Sequence, residues 1–211
     1  MPALQNKEGI QYDVVAIGNA IVDVIAMVPD SFLDEHGMTK GSMALIETER
    51  ALQLTSAVPE RIETSGGSAA NTIAGIASLG GDVAYIGKVS NDPFGGIFTR
   101  GMADIGVAFH SGNGDMDIPT ARSIVLVTPD AQRTMNTYLG VSTYLSLDDV
   151  DDHLIESAAI VYLEGYLFDR PEAKAAFREA AARAHRKGRV VALTLSDSFC
   201  VDRHRDDFRA L

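Results

Sequence analysis

The chain has 211 residues, with 18 Lys and Arg against 29 Asp and Glu, a formal net charge of −11 and a single Cys. That length holds one domain, or one with a small appendage, and a 46% hydrophobic content is enough to bury a core, which excludes wholesale disorder. The negative balance argues against a general nucleic-acid or anionic-membrane partner, one cysteine excludes an internal disulfide scaffold and favours a reducing compartment, and no apolar run reaches the ~20 residues that cross a bilayer. The first residues, 1–13, lack the apolar stretch of a secretory signal, so the expectation is a soluble, cytoplasmic globular protein.

Val14-Val15-Ala16-Ile17 is a short apolar run closed by Gly18-Asn19, a buried strand and its turn. Residues 21–28 form a second apolar strand, stopped by Pro29-Asp30. The spacing predicts a helix over 68–79, with Ser68 as its N-cap and Gly80-Gly81 as its stop. A strand follows at 83–86, closed by Gly87, and then a helix at 94–105 that Gly95, Gly96 and Gly101 weaken. Residues 123–127, a turn at Pro129-Asp130 and residues 134–139 read as a β-hairpin. An acidic amphipathic stretch at 147–157 leads to a strand at 159–163.

The clearest helix spans 171–187. Its Ala173, Ala176, Phe177, Ala180, Ala181 and Ala184 recur at threes and fours along one face, Asp169 and Glu172 have capping-box spacing, and Gly188 is placed as the stop. A strand at 189–195 follows, and residues 206–211 look like a helix just beginning. Strands alternating with helices imply an α/β fold, a mostly parallel sheet flanked by helices. The strand at 21–28 and the hairpin break that alternation and are read as a small β-sheet lid at one end of the sheet, with lid segments at about 21–48 and 119–141. An exposed edge on the lid strand also offers a place where two copies can pair as a homodimer.

Several residue groups can carry chemistry. Ser65-Gly66-Gly67-Ser68 runs into a helix start, so a ligand can approach bare backbone and meet helix N-terminal N–H groups, with Asn71 about one turn further on. The plain alternative is a tight turn and a helix cap. Asp23 lies in an apolar strand on the face of Ile21 and Ile25, and a buried carboxylate needs a partner; the two hydroxyls of a diol would serve, whereas an Asp turned to solvent needs none. Arg133, just past the hairpin turn, can either reach over a phosphate or sit solvated in the turn. Tyr166, Phe168 and Phe199 fall at strand ends, where ligands of open α/β sheets bind and where flat rings can hold a planar base; ordinary packing explains them equally.

Other signals fail. Gly81 to Lys88 has the wrong spacing for a phosphate-binding Walker loop, and no G-x-G-x-x-G follows the first strand, which disfavours a dinucleotide oxidoreductase. His36, His110, His153, His185 and His204 are scattered, without zinc spacing. Cys200 lacks basic neighbours that would activate it, and the basic run 183–189 suits a helix C-terminus better than RNA.

Together these residues resemble the ribokinase-like (PfkB) carbohydrate and nucleoside kinases, most closely the adenosine kinase branch. Gly18-Asn19-Ala20-Ile21-Val22-Asp23 is similar to the family's first strand and turn, whose Asp holds sugar hydroxyls. Gly66-Gly67-Ser68-Ala69-Ala70-Asn71 matches its Gly-Gly-x-x-x-Asn element, and Gly87 to Gly95 its Gly-x-x-x-x-Asp-x-x-Gly continuation. Met43-Ala44-Leu45, Gly165-Tyr166-Leu167-Phe168 and Leu195 to Phe199 look like base-pocket segments of the adenosine kinase branch.

The resemblance implies ATP-dependent transfer of the γ-phosphate to the 5′-hydroxyl of a nucleoside, with Mg²⁺ as the accompanying ion. Asn19, Asp23, Gly66, Gly67 and Asn71 would hold the ribose, Met43, Leu45, Tyr166 and Phe199 would line the base pocket, and Arg133 would swing in over the phosphate. Two alternatives stay open: a kinase of the same fold acting on a free sugar of the ribose or fructose class, and a non-catalytic nucleoside-binding module. The family's Asn-x-x-Glu and Gly-Ala-Gly-Asp elements do not occur in these 211 residues. The resemblance therefore implies that they form the N-terminal portion of a kinase, with acceptor site and lid but without the catalytic Asp.

Overall fold

A computed structural model describes residues 9–58, 60–112, 114 and 117–211. Strand β1 (Tyr12–Ile17) leads directly into β2 (Ile21–Met27), followed by α1 (Asp30–Glu35), β3 (Met43–Leu45), α2 (Thr48–Ala57) and β4 (Ile62–Gly66). Then come α3 (Ser68–Ser78), β5 (Val83–Gly87), α4 (Pro93–Asp104), β6 (Ala108–Ser111), β7 (Ala121–Val127) and β8 (Arg133–Tyr138). After two 3₁₀ turns the chain continues through α5 (Asp152–Ser157), β9 (Ala158–Glu164), a third 3₁₀ turn (Gly165–Asp169), α6 (Pro171–Arg186), β10 (Val190–Thr194) and α7 (Ser198–Ala210).

The strands make two sheets. The central sheet has the order β10-β9-β1-β5-β6 and is parallel throughout. Its β1 is continuously apolar because both faces are covered. Val15 and Ile17 pack into a core with Phe177 and Ala180 of α6, while Val14 and Ala16 pack into another with Ile73 of α3 and Phe98 of α4. Each fully buried Ile or Phe of this kind contributes about 1.5–3 kcal/mol. All six predicted face residues of α6 are buried. The helix closes on Gly188 at φ +68°, where Gly188 N–H donates to His185 O and Arg189 N–H to Ala184 O. This is a Schellman cap, which only a residue tolerant of positive φ forms without strain.

The second sheet has the order β3-β8-β7-β2-β4 and mixed direction: the β7–β8 hairpin and the β2–β4 pair are antiparallel, β2–β7 and β3–β8 parallel. One face packs Val24, Ala26, Ile124 and Leu126 against Leu33 of α1 and Leu54 of α2. The segments expected to form a small lid thus belong to a five-stranded sheet with as many strands as the central one. It recruits β4, whose Ile-Glu-Thr-Ser-Gly sequence carries no strand periodicity, and it places β2 inside, between β7 and β4, so β2 is not the edge that the sequence suggested.

Three local expectations are corrected. The N-cap of α3 is Gly67, with φ +99°, and Ser68 is the first helical residue. The Asp169–Glu172 capping box does not form, because Asp169 instead accepts from Arg203 and His204 of α7. The final helix starts at Ser198, since Asp197 caps it by accepting from Cys200 N–H at 2.7 Å.

Candidate acceptor site

The alternation of β2 buries Val22, Val24 and Ala26 and turns Ile21, Asp23 and Ile25 to the opposite face of the lid sheet. Strand register extends that face sideways. Directly paired residues share a face, so Thr64, Asp23, Ser123, Thr137 and Leu45 form one row across β4, β2, β7, β8 and β3. The Ser123 and Thr137 hydroxyls are hydrogen-bonded at 2.9 Å. The next row towards the lid tip is wholly apolar: Ile62, Ile25, Val125, Met135 and Met43. One carboxylate therefore borders a hydrophobic roof.

Asp23 makes no hydrogen bond or ion pair among the described residues, and burial pushes its carboxyl up to about 6. Its carboxylate packs against Gly66: a Cβ there would fall 2.5 Å from Asp23 Cγ and closer still to Oδ2. At Gly67 a Cβ would fall 2.7 Å from Asn19 O. The glycine pair is bare because the chain packs that tightly where it leaves the lid for α3. Asn71, exposed on the first turn of α3, has a side chain without a partner among the described residues.

Behind the glycines sits a residue that the sequence analysis passed over. Glu164, the last residue of β9, is buried and accepts from Asn19 N–H (2.7 Å), Asn19 Nδ2 (3.0 Å) and Ala69 N–H (3.0 Å). Burial raises its carboxyl, against the pull of those three donors. Glu164 thus takes up an N–H group at the α3 N-terminus, where the sequence had offered such groups to a ligand. The Tyr85 hydroxyl nearby is buried without a hydrogen-bond partner among the described residues, and burial beside Glu164 pushes it well above its ordinary range. A charged residue ending the apolar run Ala158 to Leu163 was the available signal.

Asn19 is 2% exposed, and its Oδ1 accepts from Ser142 Oγ at 2.8 Å. Its side chain joins the ends of β1 and β9 to the chain returning from the lid, which makes it a positioning residue here and not an open fork for a sugar. Lys88, at the end of β5, adds a second tie: it pairs with Asp149 at 2.8 Å and donates to Tyr144 O, with both charged side chains under a tenth exposed.

A cavity of about 530 Å³ opens beside the Asp23 row and is lined by Leu45, Thr137, Leu139, Tyr144 and Arg170 among others. Of the four expected base-pocket residues, Leu45 lines it and Met43 stands one row further along the same sheet face. Tyr166 and Phe199 do not line it. Tyr166 donates its hydroxyl to Asp197, beside which it is pushed up to about 12, chiefly by burial, and Phe199 is 71% exposed on α7. Phe168 is in the core against Phe177 and Phe208. Arg133 shares the Asp23 face but stands in the outermost row with Val127 and Met27, four residues or roughly 13 Å along β8 from Thr137. Among the described residues no group of three or more His, Cys, Asp or Glu is placed to hold a metal, so the Mg²⁺ that the resemblance implies has no protein cage among them.

The comparisons agree with this architecture. The model of the pfkB family carbohydrate kinases matches residues 12–211. An adenosine kinase from Sinorhizobium meliloti is 53% identical with a TM-score of 0.85, covering 95% of this chain and 61% of its own. A probable sugar kinase from Rhizobium etli CFN 42 is 47% identical with a TM-score of 0.84, covering 94% of this chain and 60% of its own. Among curated relatives, a probable chloroplastic fructokinase-6 from Arabidopsis thaliana is 30% identical over 148 residues, 69% of this chain and 38% of that protein. The chain thus spans less than two thirds of each of these relatives, and by its sequence match and its two-sheet fold it belongs to the pfkB family of carbohydrate kinases.

Proposed function

We propose that the chain forms the acceptor-binding part of a nucleoside kinase, with adenosine as acceptor and ATP as phosphate donor. The observation that carries this reading is the Asp23 carboxylate, without a partner among the described residues, set beside an apolar roof and near a cavity. A ribose diol would give the carboxylate two charge-assisted hydrogen bonds and repay its desolvation. The adjoining Ile25, Val125 and Met135 suit the wide apolar face of a base, whereas a free sugar carries hydroxyls around its whole rim and needs polar partners there. The 53% identity to an adenosine kinase supports the same assignment.

Within that reading Asp23 fixes the ribose so that its 5′-hydroxyl is aimed at the phosphate donor. Gly66, Gly67 and Asn71 bound the sugar, and Asn19, through Glu164 and Ser142, holds the loop carrying the site. Phosphoryl transfer depends on such positioning and on offsetting charge. Arg133 would supply positive charge only when the lid bends over the sheet, which also excludes water. Should two copies pair through the lid, the edges available are β3 and β4.

Sugar phosphorylation is the second reading, favoured by the fructokinases among the relatives. Calorimetric titration of adenosine and of fructose into the chain separates the two. Tighter binding of adenosine, weakened about tenfold or more in Asp23→Ala as charged hydrogen bonds are lost, is the expected result. Tighter binding of fructose, or an Asp23→Ala chain that binds adenosine normally, would overturn it.

A further inference from the structure

Arg170 breaks several local rules at once. It is the N-cap residue of the 16-residue α6, yet it makes no capping hydrogen bond, and it puts a cation at the positive end of the helix dipole. Its Nε is buried and, like the rest of the guanidinium N–H groups, makes no hydrogen bond among the described residues; Nε has only an ion-pair neighbour. Its ion pair with Glu172 is long, 3.7 Å, and about half exposed, which makes it weak. What fixes the group is Tyr144: Arg170 Cζ lies 3.9 Å from the centre of that ring. A guanidinium attracted to a ring face in this way keeps its N–H donors unspent.

Both residues line the 530 Å³ cavity, as does Thr137, which stands two strands from Asp23 in the same row. A nucleoside gripped by its diol at Asp23 and laid along that row, with its face towards Val125 and Met135, would bring the edge of its base past Thr137 to this cavity. Arginine offers only donors, so the group it selects must be an acceptor in the plane of the ligand.

Resting on the nucleoside reading above, we propose that Arg170 is the base-reading residue of the site, donating a guanidinium N–H to a ring nitrogen of a purine. Purine edges carry such acceptors, and arginine meets them in plane elsewhere. A residue kept at a structural cost on a cavity wall is where function outweighs local stability.

The test titrates the wild-type chain and Arg170→Met with adenosine and with its 1-, 3- and 7-deaza analogues, each lacking one ring acceptor. Wild type is expected to bind one analogue about tenfold or more weakly than adenosine. Arg170→Met should bind adenosine as weakly as that analogue, with the preference gone, and Arg170→Lys, which keeps a donor, should recover part of it. A merely structural stack would weaken all four ligands alike, and that outcome overturns the proposal. So does a wild-type chain indifferent to all three deletions, which decides the matter even where Arg170→Met fails to fold. Wild type that binds no purine nucleoside overturns the nucleoside reading itself, a distinct failure.

Discussion

At the scale of single residues, the site is a matter of what is missing. Gly66 has ordinary backbone angles, so it is needed for space and not for conformation: the Asp23 carboxylate fills the volume a Cβ would take. Gly66→Ala is therefore expected to displace that carboxylate at a cost in stability of about 1–3 kcal/mol, as overpacking of a tight contact does, while lowering nucleoside affinity about tenfold or more. Urea unfolding and calorimetry on the same variant separate the effects, and a variant with normal affinity contradicts the placement. Asp23 was legible in the sequence because a charge on one face of an alternating strand stands out. Glu164 broke the pattern just as plainly at the end of β9, but its partners, Asn19 and Ala69, lie far away along the chain and only folding brings them to it.

At the scale of elements, long local periodicity read true and long-range claims on a side chain did not. The face and stop of α6 follow from 3.6-residue spacing and one glycine. Its N-terminal cap was misread because Asp169 is captured by Arg203 and His204, more than thirty residues later in the sequence. Strands β3 and β4 gave no signal, the first having three residues and the second an exposed polar sequence. Lys88, discarded as a phosphate loop, ties the end of β5 to the segment returning from β8. Lys88→Ala leaves Asp149 buried and unpaired by a cation, so unfolding free energy should fall by about 3–5 kcal/mol in a denaturant titration. A loss under about 1 kcal/mol would show that this tie does not hold the two segments together.

At the scale of the whole molecule, α/β alternation foretold the parallel central sheet, and the exceptions to it foretold the second. The order of that second sheet was not legible, because β2 pairs in parallel with β7, far along the chain, and register of that kind is fixed by tertiary packing. The packing has a consequence for Asp23, whose burial is the joint work of the lid strands and of the glycine turn entering α3. Its folded value of about 6 exceeds the ordinary 3.8, so between those values the folded chain holds the proton that the unfolded chain has lost. Stability attributable to this group is thus full below the ordinary value and falls as pH rises towards about 6. A bound diol reverses the balance, because two hydroxyl donors favour the ionised form. The central claim is tested most directly by following the Asp23 carboxyl carbon by NMR through a pH titration, with and without adenosine. The account predicts a midpoint of about 6 in the free chain that falls with adenosine and does not fall with 2′,3′-dideoxyadenosine. A midpoint that adenosine leaves unmoved would contradict it.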